Sequence, residues 1–149
     1  MNPHALEILL VEDNPGDLQL TLRALKKSHL VNHIEVARDG AEALDFIFCQ
    51  GVHSTRRIED APKLILLDLK LPKIDGLGVL KKIKEDPRTC RIPVVVLTTS
   101  KAEEDIIRSY ELGVNSFIVK PVTFESLVEL VRTLGRYWFQ IVELPTTEN

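Results

Sequence analysis

The sequence predicts an α/β fold: a single doubly wound parallel sheet of five strands, built as (βα)5 with helices on both faces. Three observations carry this. Short apolar runs alternate with longer amphipathic segments, five times over. Three four-residue runs, 8–11, 64–67 and 94–97, are apolar at every position, as strands covered on both faces should be. Finally, 149 residues with 44% hydrophobic and 28% charged side chains suit one globular domain with one sizeable core.

The elements follow in order. After the run at 8–11, Asn14-Pro15 supplies a helix cap and first turn. Leu18, Leu22, Leu25 and His29 then recur at helical spacing, with Arg23, Lys26 and Lys27 on the other side. The run at 34–37 alternates rather than being apolar throughout, which places it near a sheet edge. Asp39 caps the second helix, with Glu42 three residues on, and Ala41, Leu44, Ile47 and Phe48 make its stripe. Residues 51–62 read as a polar surface loop before the third run. The third helix runs from about Leu77 to Glu85, with Leu77, Leu80 and Ile83 inward, and stops near Asp86-Pro87. Ser100 and Glu103 stand in capping-box spacing ahead of the fourth helix, which closes at Gly113. The run at 117–119 precedes a fifth helix from Thr123 to about Trp138 or beyond. Residues 1–149 are read as one domain, with a C-terminal extension over about 139–149 that frays at its end.

Composition narrows the function classes. Nineteen basic and 22 acidic residues give a net charge of −3, so no broad attraction for nucleic acid is expected. The apolar runs are far too short to cross a membrane, and no leader pattern opens the chain. Cys49 and Cys90 lie in no metal or redox spacing, which suits reduced thiols and a cytoplasmic setting. The four histidines share no metal spacing either.

In open α/β sheets, chemistry collects at the carboxyl ends of the strands. Glu12 and Asp13 follow the first run, Asp68 ends the third, Thr98 and Thr99 end the fourth, and Lys120-Pro121 follow the fifth. Each alone has a bland reading: a solvated strand end, a helix cap, a loop lysine. Together they place three acids, a hydroxyl and a lysine on one rim. Crowded carboxylates repel unless a cation joins them, and an all-oxygen donor set suits Mg²⁺, with Mn²⁺ as the alternative. A carboxylate can attack phosphorus to give an aspartyl phosphate, and a lysine with a divalent ion neutralises the charge on the transferring oxygens.

With these residues in view, the chain resembles the receiver domain of two-component response regulators, through ILLVEDNPGD, LILLDLKLPKIDG, IPVVVLTTS and FIVKP. The resemblance covers about residues 6–135 and implies a flavodoxin-like fold. It makes Asp68 the phosphoryl acceptor, and Asp13 the direct acidic metal ligand with Glu12 as its neighbour. Lys70 would lend its backbone carbonyl to the metal. Lys120 pairs with the acceptor, and a cis bond joins it to Pro121. Thr98 is the switch hydroxyl, with Thr99 its alternative in sequence, and Phe117 the switch aromatic. Gly76 sits in the turn before the third helix. A finer resemblance is to the small stand-alone regulators that accompany cyanobacterial and other bacterial phytochromes.

The resemblance implies a histidine kinase as partner, a phytochrome in its finer form, and a phosphoacceptor that assists its own phosphorylation and dephosphorylation without being an enzyme. No output domain is expected after the fifth helix, so output should be a contact. That helix is more apolar than one buried face requires. Phe124, Val128, Val131, Leu134 and Trp138 form one stripe, and Leu130, Tyr137 and Ile141 a second; with Phe139 they suggest a homodimer through helix five and its extension. Two other classes share these features: a Mg²⁺-dependent phosphohydrolase with an Asp nucleophile, and a pseudo-receiver that binds without phosphorylation. Lys70 stands where such hydrolases usually carry a second Asp, and all the receiver positions are filled.

Overall fold

A computed structural model of the chain describes residues 6–28, 31–99 and 103–130. Five parallel strands form one sheet in the order β2-β1-β3-β4-β5: β1 (Leu6–Val11), β2 (Val31–Ala37), β3 (Leu64–Asp68), β4 (Val94–Thr98) and β5 (Ser116–Val119). The helices are α1 (Pro15–Ser28), α2 (Gly40–Ile47), α3 (Gly76–Glu85), α4 (Glu103–Glu111) and α5, helical over 124–130.

Side-chain alternation in the three central strands divides the core in two. Leu9, Val11, Ile65, Leu67, Val94 and Val96 point to one face, where Ala43, Leu44 and Ile47 of α2 and Val79, Leu80 and Ile83 of α3 cover them. Ile8, Leu10, Leu64, Leu66, Val95 and Leu97 point to the other, under Leu18, Ala24 and Leu25 of α1 and Leu127 and Leu130 of α5. This two-sided covering is why these runs carry no polar residue. Each fully buried aliphatic side chain is worth roughly 1.5–3 kcal/mol relative to exposure.

Local signals hold where they are described. The Asn14 side chain accepts the Asp17 N–H at 2.9 Å and so caps α1. Asp39 accepts the Glu42 N–H at 2.8 Å at the start of α2. The alternating strand β2 is an edge, as its pattern predicts. Gly113, at φ +89°, follows the last turn of α4. Ser100, His29 and the residues beyond 130 lie outside the described residues, and with them most of the expected interface: Val131, Leu134, Tyr137, Trp138, Phe139 and Ile141.

Four details differ from the expectation. Strands β1 and β2 begin earlier than their apolar runs. Leu77 is only half-buried, and Val79 takes the inward place on α3. On α5 the core seam is Leu127 and Leu130, while Phe124 and Val128 are half-buried beside it. A helix presents about one-third of its circumference to the core, and Val122 ahead of α5 joins Leu127 and Leu130 in that core. The 51–62 connection is also more than a polar surface loop. It contains two short 3-10 turns, and Arg56 donates to the carbonyls of Phe46 and Asp60 while stacking 3.6 Å over the Phe46 ring. One guanidinium thereby ties the loop to the end of α2.

Candidate phosphoryl-transfer site

The carboxyl ends of β1, β3, β4 and β5 bring the predicted residues to one rim. Glu12 extends β1 by donating its N–H to the Ala37 carbonyl at 2.9 Å, and its side chain is completely buried. Asp13, one residue on, is exposed at the mouth. Asp68 is the last residue of β3, its side chain 6% exposed. One Asp68 oxygen, Oδ1, accepts the Lys70 N–H at 3.1 Å, and Oδ2 accepts from Lys120 Nζ at 2.8 Å. Oxygen atoms of Glu12, Asp13 and Asp68 lie within 4.8 Å of one another.

Lys120 reaches this cluster from the end of β5, where its N–H donates to the Thr98 carbonyl at 2.9 Å. Its peptide bond to Pro121 is cis. The ammonium lies 2.7 Å from Glu12 Oε1, 2.8 Å from Asp68 Oδ2 and 3.1 Å from Asp17 Oδ2. Burial alone would push the ammonium pKa down, but its interactions with the surrounding carboxylates, Asp68 foremost, carry it above its ordinary value. Burial, reinforced by the nearby Asp68, raises Glu12 to about 7.

The Glu12 contact with Lys120 is an ion pair, and among the described residues the buried Oε1 has no hydrogen-bond partner. The Lys120 ammonium beside it supplies one positive charge against the three carboxylates of Glu12, Asp13 and Asp68, which leaves the cluster with excess negative charge. Together with the all-oxygen cluster, this fits a hard divalent cation such as Mg²⁺ or Mn²⁺.

The turn that presents Asp68 depends on a close approach. A Cβ on Gly76 would lie 2.2 Å from the Asp68 carbonyl oxygen and 2.5 Å from Leu69 Cα. The bare Gly76 backbone instead donates its N–H to the Leu69 carbonyl at 2.9 Å. Asp75 caps α3 there by accepting the Gly78 N–H at 2.8 Å. A groove of 400 Å³ opens beside Asp13, lined by Lys70, Leu71, Pro72 and Leu77 among others. A larger groove of 610 Å³ between α2 and α3 touches none of the site residues.

Thr98 is buried at the end of β4, whereas Thr99 is exposed. Phe117 is half-buried on β5, its ring 5.8 Å from that of Tyr110 in an edge-on contact. Lys70 is exposed at the lip. Sequence reasoning missed Asp17. Its signal was present in hindsight: an acid in the first turn of the helix that starts beside Glu12 and Asp13.

The chain is similar to known proteins. Residues 8–132 match the response regulator receiver domain family. Response regulator Rcp1 of Synechocystis sp. is 44% identical over 138 residues, covering 93% of this chain and 92% of the relative. The solved structure of the bacteriophytochrome response regulator AtBRR is similar, with 53% identity, a TM-score of 0.79, and coverage of 88% of this chain and 93% of that one. So is the phosphorylated cyanobacterial phytochrome response regulator RcpA, with 42% identity, a TM-score of 0.76, and coverage of 91% and 94%. A structure of Rcp1 is of its Mn²⁺-bound form. The chain belongs to the response regulator receiver family and is related to the phytochrome response regulators.

Proposed function

We propose that Asp68 accepts a phosphoryl group from the phosphohistidine of a histidine kinase, and that for this chain the kinase is a phytochrome. The observation that carries the reading is the Asp68 carboxylate itself. It is buried at a strand end, hydrogen-bonded to Lys120 and within reach of the Glu12 and Asp13 oxygens. The phytochrome assignment rests on relatives described as phytochrome response regulators, and the cytoplasmic setting follows from the kinase.

An Asp68 carboxylate oxygen forms the new P–O bond while the P–N bond to the donor imidazole breaks. The bonding electron pair leaves on the ring nitrogen, which takes up a proton. Glu12, Asp13, Asp68 and the Lys70 backbone carbonyl would hold Mg²⁺ or Mn²⁺. When bound, the ion neutralises charge on the transferring oxygens. Lys120 adds a fixed positive charge on the same side. Thr98 donates its hydroxyl to a phosphoryl oxygen once the group is attached, with exposed Thr99 left outside.

The phosphoryl group brings about −1.5 to −2 charge and three acceptors into the rim. Movement of Thr98 toward it leaves room for Phe117 to turn inward from its contact with Tyr110. The face built by α4, β5 and α5 then changes, biasing a two-state element. Ile107 and Tyr110, each 48% exposed, and Val119, 43% exposed, supply apolar surface there. Homodimerisation through α5 and its extension, with Phe124 and Val128 in the described part, would use the same side of the molecule.

The test is transfer of radiolabel from purified phospho-kinase in Mg²⁺. Asp68→Asn is expected to take up no label, a loss of at least about a thousandfold, because an amide oxygen is a poor nucleophile. Labelling of Asp68→Asn at the wild-type rate would overturn the assignment.

A further inference from the structure

The geometry points to Asp17 as a positioning residue: it tethers the Lys120 ammonium over Asp68 when a divalent cation engages Glu12 and Asp68. This inference rests on the phosphoryl-acceptor reading above and adds a residue to it.

Three carboxylates surround Nζ of Lys120, but they are not equivalent. Glu12 and Asp68 belong to the oxygen cluster that suits a cation; Asp17 does not. Of the three contacts, those to Asp68 and Asp17 are hydrogen bonds, at 2.8 and 3.1 Å, and the Glu12 contact is an ion pair only. A cation drawing on lone pairs of Glu12 and Asp68 weakens their hold on the lysine. Transfer of a phosphoryl group converts the Asp68 carboxylate into an acyl phosphate and weakens that hold again. Asp17 is untouched by either event.

Asp17 is also well placed to serve as an anchor. It lies in the first turn of α1, with its N–H held by the Asn14 side chain at 2.9 Å, so its backbone is fixed. Lysine carries four rotatable methylenes, and an ammonium with one permanent partner loses less orientation when the others change. With one N–H on Asp17, the remaining donors are free to turn to phosphoryl oxygens. The contact spans 103 residues of sequence and joins the start of α1 to the end of β5. Asp17 is 31% exposed and contacts the reacting atoms only through Lys120.

The experiment uses the full chain, labelled with ¹⁵N, as wild type, Asp17→Asn and Asp17→Glu. The lysine ammonium resonance of Lys120 is followed with Mg²⁺ alone and with Mg²⁺ plus beryllofluoride, and phosphorylation by acetyl phosphate is timed in parallel. Wild type is expected to keep a sharp, slowly exchanging Lys120 signal in both states. Asp17→Asn is expected to fold and bind Mg²⁺ as wild type does, to lose that signal by broadening, and to be phosphorylated about three- to tenfold more slowly, the scale of one partly exposed charge-assisted hydrogen bond. Asp17→Glu, which keeps the charge, should recover most of the rate and the signal. A purely structural Asp17 would lower stability without moving the signal. An unchanged signal and rate in Asp17→Asn would overturn the inference. So would a loss of Mg²⁺ affinity with Lys120 unchanged, since Asp17 would then be a metal ligand. If wild type itself fails to take beryllofluoride, the acceptor reading fails, and that result is distinct from either of these.

Discussion

Two lysines are drawn into the protein at opposite ends of the sheet. At the carboxyl end, Lys120 meets three carboxylates and its pKa rises. At the amino end, Lys84 of α3 donates to two neutral carbonyls, those of Cys90 at 3.0 Å and Ile92 at 2.8 Å, and burial pushes its pKa down. Both ammonium groups clamp a helix or loop to the sheet. Only Lys120 is surrounded by charge that a cation or a phosphoryl group can rearrange. A buried cation among carbonyls is a structural clip, and the same cation among carboxylates is a component that responds to ligands.

The largest effect that would sharpen this contrast is on stability. Lys120→Ala leaves the buried Glu12 and Asp68 carboxylates crowded, and should cost about 4 kcal/mol in urea unfolding without divalent ions. Adding Mg²⁺ should restore most of that. If Mg²⁺ restored nothing, the two lysines would be alike. Gly76→Ala should cost about 3 kcal/mol, because a methyl cannot fit against the Asp68 carbonyl, and should also remove beryllofluoride binding. Lys84→Ala should cost about 2 kcal/mol through two lost charge-assisted hydrogen bonds, with no recovery in Mg²⁺.

Acid–base behaviour should separate the ends as well. Glu12 is held near 7 in the ion-free fold against a usual 4.5, so folding retains its proton and stability falls as pH climbs through that window. Cation binding requires the proton to leave. Apparent Mg²⁺ affinity, measured by titration, should therefore rise about tenfold per pH unit up to neutrality and then flatten. Lys84 has the opposite sign from Lys120. Its folded pKa lies below the usual 10.5, so the unfolded chain binds the extra proton and stability gains as pH rises toward that value. Lys84→Ala should abolish this alkaline gain. The smallest effect belongs to Gly113, at φ +89° beside the Lys84 methylenes: Gly113→Ala should cost about 1 kcal/mol from backbone strain and leave cation binding unchanged.

Much of the rim was legible before any coordinates. Glu12, Asp13, Asp68, Thr98 and Lys120 each sit at the end of a recognisable apolar run, and parallel strands send all such ends the same way. The edge position of β2 was legible from its alternation. The edge position of β5 was not: its run reads as apolar, yet only Ile118 is buried. Asp17 was passed over because an acid in a helix's first turn is ordinarily explained by the helix itself. Arg56 was hidden inside what reads as a polar loop, and Lys84 inside a charged helix face.

The amino-acid sequence alone determined the order of the five strands and five helices, and which side chains would stand at the strand ends. Those properties depend on periodicity and capping within a dozen residues or so. Only the tertiary structure decided that Lys120 would have Asp17 as well as Asp68 for a partner, that Gly76 must pass within van der Waals contact of the Asp68 backbone, and that Lys84 would find carbonyls rather than carboxylates. Those outcomes depend on strand order and on the angle at which each helix packs, which bring together groups that no local pattern relates.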